Sequence, residues 1–515
     1  MIVGGPGPGP GPGIHARDTS GKDAIIVAET GATTTYEELN RKSIQCARFF
    51  SEQGLVFGDH IALMVENLPE ALIVSWAAFR CGLYVTPVNW HLKAEEAAYV
   101  VNDCMAKLVV ISPGLASIAD ELDQSIAPDV ARWALGSDIG NYRSLEAAWD
   151  ACSAEPLQAE LQGTMMYYSS GTTGKPKGIL NPLERHATDS RPDPLWPLLK
   201  GLYNFSADTV YLCPAPLYHA APIAWSMAVL RLGGTVVLMR NFDAHQALQA
   251  IEVFKVNRAQ FVPTMFVRML DISEDERAHY DTSSLEVAVH AAAPCAVAVK
   301  RAMLDWWGPI IYEYYAGSEG VGFTAIGPEE WLAHPGSVGR SMAGTVHILD
   351  DDEEELPQGV VGTIYFESAG TVEYHRDEDK TRGSRSGQGW STYGDVGYMD
   401  QEGYLYLTDR RSHLIISGGV NIYPQEAENV LINHPSVYDL AVIGVPHSEY
   451  GESVKAVVQL HAGITQSDDL ARELIDYCHQ HLTRYKCPRS VDFVESLPRL
   501  PSGKLRKREL MARYC

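Results

Sequence analysis

The chain has 515 residues, more than one hydrophobic core normally serves, so we expect at least two domains. Hydrophobic residues make up 46% and charged residues 21%, values that are ordinary for a globular protein. The net charge of −24 argues against non-specific binding to nucleic acids, although a local nest of backbone N–H groups can still bind a phosphate.

The first residues, "MIVGGPGPGPGPG", lack the apolar core and the positive flank of a signal peptide. Alternating glycine and proline disfavours helix and sheet, so we expect a disordered tail over residues 1–15. Apolar runs such as residues 72–79 are too short to span a bilayer. The nine cysteines form no C-x-x-C pair, which predicts reduced thiols in a soluble, cytoplasmic protein.

The first third of the chain alternates helix and strand signals. Thr35 and Glu38 form a capping box that predicts a helix from Tyr36. A buried strand is predicted at His60, and Pro69 marks the start of the next helix. Repeated units of this kind predict a parallel sheet with helices on both faces.

An apolar strand then leads into the polar loop "YYSSGTTGKPKG", which begins at Tyr167. Its glycines allow N–H groups to approach phosphate oxygens, its hydroxyls donate hydrogen bonds, and Lys175 adds positive charge. It is not the loop of nucleotide triphosphatases, because only two residues separate Gly171 from Gly174. Taken alone, the pattern equally suits a flexible surface loop.

The α/β pattern continues through the strand-like runs "TVYLCPAPLYHAA", "GTVVLM", "AQFVPTMF" and "LEVAVHAAAPC". Beyond Pro335 the sequence favours short strands, with a solvated hairpin tip at 350–355 and another hairpin in "EGYLYLTDRRSHLIISGG". A compact α+β pattern follows, with helices from Pro424 and Ser467. We therefore predict an α/β fold with a large N-terminal domain, residues 16–409, of parallel sheets with helices plus a β-rich subdomain. A small mobile α+β C-terminal domain should cover residues 410–515.

Four further motifs change the interpretation of the polar loop: "YEYYAGSEG" at 312–320, "YGDVGYMD" around Asp395, "DRRSHLIISGGVNIYPQEAE" from Asp409, and "LPSGKLRKREL" around Lys504. With these motifs in this order, the chain from about Thr33 onward resembles the adenylate-forming superfamily of acyl-CoA synthetases, adenylation domains and beetle luciferases. It looks most like bacterial carboxylate–CoA ligases.

The resemblance implies a reaction in two steps that uses ATP, CoA and Mg²⁺. A carboxylate attacks the α-phosphate of ATP to give an acyl-adenylate and pyrophosphate, and the CoA thiol then displaces AMP. It also implies that the small C-terminal domain rotates between the two steps, and that a homodimer is possible.

The same resemblance implies roles for individual residues. The phosphate loop would consist of Ser170, Gly171, Thr172, Thr173, Gly174 and Lys175. Tyr315 and Ala292 would contact adenine, Ser318 the AMP phosphate, Glu319 the magnesium ion, and Asp395 and Arg410 the ribose. Lys504 would stabilise the pentavalent phosphate, His219 would line the acyl site, and Gly418 and Gly419 would leave room for pantetheine. Each also has an ordinary interpretation as a core, turn or surface residue.

Three departures from the family pattern leave alternatives open. Ala316 replaces a glycine, Tyr393 a threonine, and Ser412 and His413 a Lys-Asp pair. A ring at Tyr393 that crowds the nucleotide would weaken adenylation, which would favour an enzyme that only thioesterifies a supplied adenylate. An adenylation enzyme that loads a carrier protein, and a non-enzymatic sensor of nucleotide or acyl ligands, are further alternatives.

The acid is predicted to be bulky and apolar, whether fatty, aromatic or polycyclic, because no charged residue stands out as an anchor for an amino acid. Four apolar residues are candidates for its pocket or, equally, for the core: Trp225, Met227, Met265 and Phe266.

Overall fold

The computed structural model describes residues 11–169, 176–187, 193, 195–367, 372–410, 413–417, 420–447, 450–500 and 505–514. Packing divides the chain into two compact units. The first contains the residues up to Phe261 together with Ile272–Ala288 and Val372–Thr381. The second contains Val262–Asp271, Val289–Thr371 and the residues from Arg382 onward.

The first unit is a mixture of helices and mostly parallel strands. Its helices are α1 (Pro12–Asp18), α2 (Tyr36–Glu52), α3 (Pro69–Arg80), α4 (Ala94–Asp103), α5 (Ala119–Ser125), α6 (Leu145–Asp150), α7 (Trp196–Tyr203), α8 (Ala220–Leu232), α9 (Ala244–Phe254) and α11 (Glu274–Arg277). Its strands are β1 (Asp23–Val27), β2 (Thr33–Thr35), β3 (His60–Met64), β4 (Tyr84–Pro87), β5 (Ala106–Ile111), β6 (Ala131–Ala134), β7 (Arg143–Ser144), β8 (Thr164–Met165), β9 (Tyr167–Ser169), β10 (Lys177–Ile179), β11 (Val210–Cys213), β12 (Thr235–Leu238) and β13 (Arg258–Phe261).

Two parallel sheets organise this unit. One has the strand order β7-β6-β5-β3-β4-β8, and its pairs are parallel. The other places β13, β11, β12 and β1 side by side in parallel, with β2 antiparallel at the end. Strand β3 is buried along its whole length, as expected for a sheet covered on both faces. The α/β architecture predicted for this part is therefore confirmed.

The second unit contains the β-rich part and the α+β end of the chain. Its helices are α10 (Pro263–Leu270), α12 (Val297–Trp307), α13 (Pro328–Ala333), α15 (Pro424–Leu431), α16 (Asp468–His481) and α17 (Lys507–Met511). Its strands are β15 (Ile311–Ala316), β16 (Phe323–Ile326), β17 (Arg340–Ala343), β18 (Thr345–Leu349), β19 (Gly362–Glu367), β20 (Asp395–Met399), β21 (Leu405–Arg410), β22 (Ile415–Ser417), β23 (Val420–Ile422), β24 (Val437–His447), β25 (Gly451–Leu460) and β26 (Ser490–Phe493). The division between the units falls inside β14 (Val287–His290) and α14 (Glu378–Gly383).

Antiparallel pairing dominates this unit. Strands β15, β16 and β17 are neighbours, β18 to β21 form a four-stranded sheet, and the last sheet has the order β23-β22-β25-β24 with β26 parallel to β25. Helices α15 and α16 contribute Leu431 and Leu474 to the buried core beside the last sheet. The acidic segment 350–355 is indeed the turn between β18 and β19.

Three local predictions need correction. Helix α1 begins at Pro12, so residues 12–15 of the tail predicted to be disordered are helical, because proline is tolerated in the first helical turn. The strands predicted in "TVYLCPAPLYHAA" and "AQFVPTMF" end at Cys213 and Phe261, where prolines follow and helices begin soon after. The described strands β21 and β22 do not form the predicted hairpin with each other, because β21 pairs with β20 whereas β22 pairs with β23 and β25.

Candidate active site

The loop between β15 and β16 carries Ser318 and Glu319. The two strands pair up to Ala316 and Phe323, so the loop is only the six residues 317–322. Gly320 adopts a φ of 65°, and its N–H donates to the carbonyl of Gly317 at 3.1 Å. This tight turn holds the hydroxyl and the carboxylate at the partly exposed tip of a hairpin.

The aromatic residue of the same hairpin reaches the aspartate at the start of β20. The hydroxyl of Tyr315 donates to Oδ2 of Asp395 at 2.7 Å, and Asp395 is only 6% exposed. In the register of the sheet, Asp395 lies opposite Arg410 of β21. The structure therefore gathers Tyr315, Ser318, Glu319 and Asp395, with the backbone of Arg410, in one region of the second unit.

Ala292 lies just beyond the end of β14 in a left-handed conformation. Its φ is 73°, a region that L-residues with a Cβ enter at a cost of about 1–2 kcal/mol. Strain of this kind concentrates at functional sites. The strained torsion therefore lies in the segment that the family resemblance relates to adenine.

A buried cluster of charged residues, which sequence reasoning missed, lies between three elements of this unit. Lys300 of α12 donates to the carboxylate of Glu313 in β15 at 2.6 Å, and Nε2 of His290 in β14 lies 3.4 Å from the same oxygen. The ammonium of Lys300 also sits 4.7 Å from the ring centroid of Trp331. We call His290, Lys300 and Glu313 the buried trio.

The charge states of the buried trio follow from its surroundings. Burial opposes ionisation of Glu313, but His290 and Lys300 outweigh it and lower the pKa of the carboxyl to about 2. Burial lowers the pKa of His290, although the carboxylate of Glu313 acts against this shift. Alternation of Ile311 and Glu313 on the inward face of β15 was the signal in the sequence that could have revealed this acid.

His219 belongs to the first unit. It occupies the N-cap position of α8 instead of a strand, and its ring lies 4.4 Å from that of Tyr218. The four candidates for an acyl pocket are all core residues, with exposures of 4% or less: Trp225, Met227, Met265 and Phe266.

The remaining predicted site residues lie outside the described part of the chain: Ser170, Gly171, Thr172, Thr173, Gly174, Lys175, Gly418, Gly419 and Lys504. Paired backbone flanks all three segments. Ser169 pairs with Lys177, Ser417 with Val420, and Arg499 with Leu505. The described residues on either side of each segment are therefore paired with each other.

Among the described residues, no cluster of three or more His, Cys, Asp or Glu side chains could hold a metal ion. This is compatible with magnesium, which usually needs only one or two protein carboxylates together with substrate phosphates and water. The partly exposed Glu319 can supply such a carboxylate. None of the described helices is long and apolar enough to cross a membrane.

Comparisons with known proteins identify the family of the chain. Residues 14–373 match the model of the AMP-binding enzymes, and residues 426–504 match the model of their C-terminal domain. The long-chain-fatty-acid–CoA ligase FadD13 of Mycobacterium tuberculosis is 29% identical, with 95% of each chain covered. The fatty acid–[acyl-carrier-protein] ligase ScoC of Streptomyces coeruleorubidus is 30% identical, covering 97% of this chain and 95% of ScoC. The ATP-bound structure of MatB from Rhodopseudomonas palustris aligns with a TM-score of 0.81 at 27% identity, over 98% of this chain and 99% of MatB.

Proposed function

Because the chain belongs to the family of AMP-binding enzymes and is an AMP-forming acid–thiol ligase of that family, we propose that it activates a hydrophobic carboxylic acid and transfers it to CoA. Its acid would be fatty, aromatic or polycyclic. Members of this family use ATP, CoA and Mg²⁺, which confirms the predicted cofactors. The observation that carries the proposal is the convergence of Tyr315, Ser318, Glu319 and Asp395 on one hairpin and the adjoining strand.

The proposed chemistry follows from the groups that this region offers. The ring of Tyr315 presents a flat face to adenine, and the buried carboxylate of Asp395 accepts hydrogen bonds from the ribose hydroxyls. Ser318 donates to the phosphate of AMP. Glu319 would hold magnesium, which would neutralise charge on the phosphates. Ala292 lies beside adenine and Arg410 beside the ribose.

The other proposed roles belong to segments that bind the phosphates, the acid and CoA. The loop 170–175 cradles the β- and γ-phosphates while the acid's carboxylate oxygen attacks the α-phosphorus and pyrophosphate departs. Lys504 stabilises the pentavalent phosphorus, and His219 lines the acyl site. Gly418 and Gly419 admit the pantetheine arm, whose thiol attacks the acyl carbonyl and releases AMP.

A paired assay tests the proposal. The protein is incubated with Mg·ATP, CoA and a panel of fatty, aromatic and polycyclic acids, and release of pyrophosphate and formation of thioester are measured on the same samples. We expect both products with at least one apolar acid. Tight ATP binding without pyrophosphate release from any acid would instead favour the non-enzymatic sensor.

The main alternative is that the acid is transferred to a carrier protein instead of CoA, since the relative ScoC, at 30% identity, is named as a ligase for acyl-carrier protein. Replacing CoA by a phosphopantetheinylated carrier protein in the same assay decides between the two acceptors. Thioester formation only from supplied acyl-adenylate would identify the half-reaction enzyme that Tyr393 suggested.

The proposal also covers the domain bounds, the cellular location and the oligomeric state. We retain a catalytic N-terminal domain over residues 16–409 and a mobile C-terminal domain over residues 410–515. The eight described cysteines are free thiols, which suits the cytoplasm. A homodimer stays a prediction, and sedimentation analysis of the purified chain tests it.

A further inference from the structure

The ring of Tyr393 fills a space in the hairpin loop that a glycine leaves open. A Cβ atom added at Gly317 would overlap Cε1 and Cδ1 of Tyr393, and it would also lie 2.7 Å from the Oε2 atom of Glu319. The two Tyr393 atoms belong to a rigid ring, so the whole ring would have to move to make room for the added Cβ atom. A side chain at position 317 and an aromatic ring at position 393 are therefore mutually exclusive in this arrangement.

The hydroxyl of Tyr393 binds the far end of the same loop. It accepts a hydrogen bond from the N–H of Gly322 at 3.1 Å and donates one to the carbonyl of Gly322 at 2.8 Å. Burial raises the pKa of Tyr393 to about 12, although the backbone bonds oppose this shift. The hydroxyl therefore stays protonated at neutral pH and keeps both bonds.

Tyr393 is itself held by its neighbours in the chain. The backbone of Ser391 exchanges two hydrogen bonds with Phe366, at 2.7 and 3.0 Å. The hydroxyl of Thr392 donates to the carbonyl of Ile364 at 2.6 Å and accepts from the N–H of Gly394 at 2.9 Å. The segment that leads into Tyr393 is thus anchored to β19, independently of the loop that the ring touches.

The same ring also contacts the aromatic residue that leads into the loop. Tyr393 and Tyr315 are nearly perpendicular, at 86°, with their ring centroids 5.6 Å apart. Edge-to-face pairs of this kind are favourable beyond the area that they bury. Tyr393 therefore contacts the hairpin at Tyr315, near the end of β15, and at Gly317 and Gly322, the first and last residues of the loop.

We propose that Tyr393 is a positioning residue for the nucleotide site and that Gly317 is its required counterpart. The ring and the hydroxyl together fix the turn that presents Ser318 and Glu319 to the phosphates and the magnesium ion. The inference rests on the proposed function, because those two roles are themselves proposed. In this arrangement, the tyrosine that replaces the family's threonine supports adenylation.

The test compares variants by their affinity for Mg²⁺ and a non-hydrolysable ATP analogue, measured by calorimetry. Tyr393→Phe removes both hydrogen bonds and keeps the ring, so we expect up to about thirtyfold weaker binding, the combined effect of two ordinary hydrogen bonds. Gly317→Ala should weaken binding further, and adding Tyr393→Thr to it should recover at least a fivefold gain. Tyr398→Phe, the same substitution within β20, is the matched control and should bind like the wild type.

The outcomes separate positioning from mere stability. A lower melting temperature with unchanged analogue affinity in Tyr393→Phe would overturn the inference. It would also be overturned if the double variant Gly317→Ala/Tyr393→Thr bound the analogue no better than Gly317→Ala alone. Tyr393→Phe keeps the ring, so it remains decisive if Gly317→Ala fails to fold. Because the readout is binding, a wild type that binds the analogue but activates no acid would refute the proposed function and leave this inference to be judged on its own data.

Discussion

Ala292 has a backbone conformation that a glycine would adopt more easily. Its φ of 73° costs about 1–2 kcal/mol for an alanine, while a glycine gives back about 0.4–1 kcal/mol through the greater entropy of its unfolded chain. We therefore predict that Ala292→Gly raises the free energy of unfolding by about 0.5–1 kcal/mol, measured by urea denaturation.

The matched control for this prediction is Ala298→Gly, which makes the same change at an exposed position in α12. There the substitution should lower the free energy of unfolding by about 1 kcal/mol, because glycine is unfavourable inside a helix. Opposite signs at the two positions would show that the torsion at Ala292 is strained. If both substitutions lowered the free energy of unfolding equally, the torsion at Ala292 would not be strained.

Tyr315 combines an aromatic face with a hydroxyl, and two substitutions separate their contributions. Tyr315→Ala removes the ring and should raise the KM for ATP about tenfold to a hundredfold, since stacking on a base contributes about 1–3 kcal/mol. Tyr315→Phe removes only the hydrogen bond to Asp395 and should raise this KM severalfold at most. Equal effects of the two substitutions on pyrophosphate release would show that the ring does not stack on adenine.

At the scale of elements, a signal within one helical turn predicted structure correctly, whereas a pairing between distant segments was predicted wrongly. The capping box at Thr35 and Glu38 predicted the start of α2 because the bonds that make it lie within one turn. The hairpin predicted over residues 405–417 was wrong, because β21 and β22 find their partners elsewhere in the chain. The same limit explains why the buried trio was missed, since its members come from three separate elements.

The buried trio joins β14, α12 and β15, and Glu313 is its only acid. Glu313→Gln would leave the ammonium of Lys300 buried without a counter-charge, and breaking a buried pair in this way typically costs about 3–5 kcal/mol. Glu286→Gln is the matched control, because Glu286 pairs with Arg258 but is 64% exposed. Its loss should be about 1 kcal/mol or less in the same urea denaturation.

The buried trio also predicts how this difference depends on pH. The pKa of Glu313 is lowered to about 2 in the folded chain, from its ordinary value of 4.5. Its ionised form therefore stabilises the fold above about pH 4.5, and this contribution is lost as the pH falls towards 2. Stability measured across this range should show the gap between the wild type and Glu313→Gln narrowing as acid is added. A constant gap would mean that the carboxylate charge is not what stabilises the trio.

For the whole molecule, composition and motif order predicted the fold class, the family and the cofactors. They could do so because the motifs lie in short segments that keep their order along the chain. The acid was not predictable in the same way. The apolar residues offered for its pocket are buried in the core, as Trp225 shows by packing against Tyr203 and Phe205.

The two half-reactions provide the prediction that involves the whole chain. Lys504→Ala removes the positive charge that is proposed to stabilise the pentavalent phosphorus. Pyrophosphate release should therefore fall by at least about a hundredfold. Thioester formation from supplied acyl-adenylate should persist, because that step attacks carbon. Gly418→Trp should do the reverse, since a large side chain would obstruct pantetheine and leave adenylation intact.

Arg506→Ala serves as the control for Lys504→Ala, because Arg506 is an exposed cation near the same segment, paired at the surface with Glu509. It should keep both half-reactions. Each variant is measured twice, by pyrophosphate release with acid and Mg·ATP, and by thioester yield from synthetic adenylate and CoA. If Lys504→Ala lowers both rates equally, the lysine does not act on the phosphorus. If Gly418→Trp does so, pantetheine does not pass that glycine.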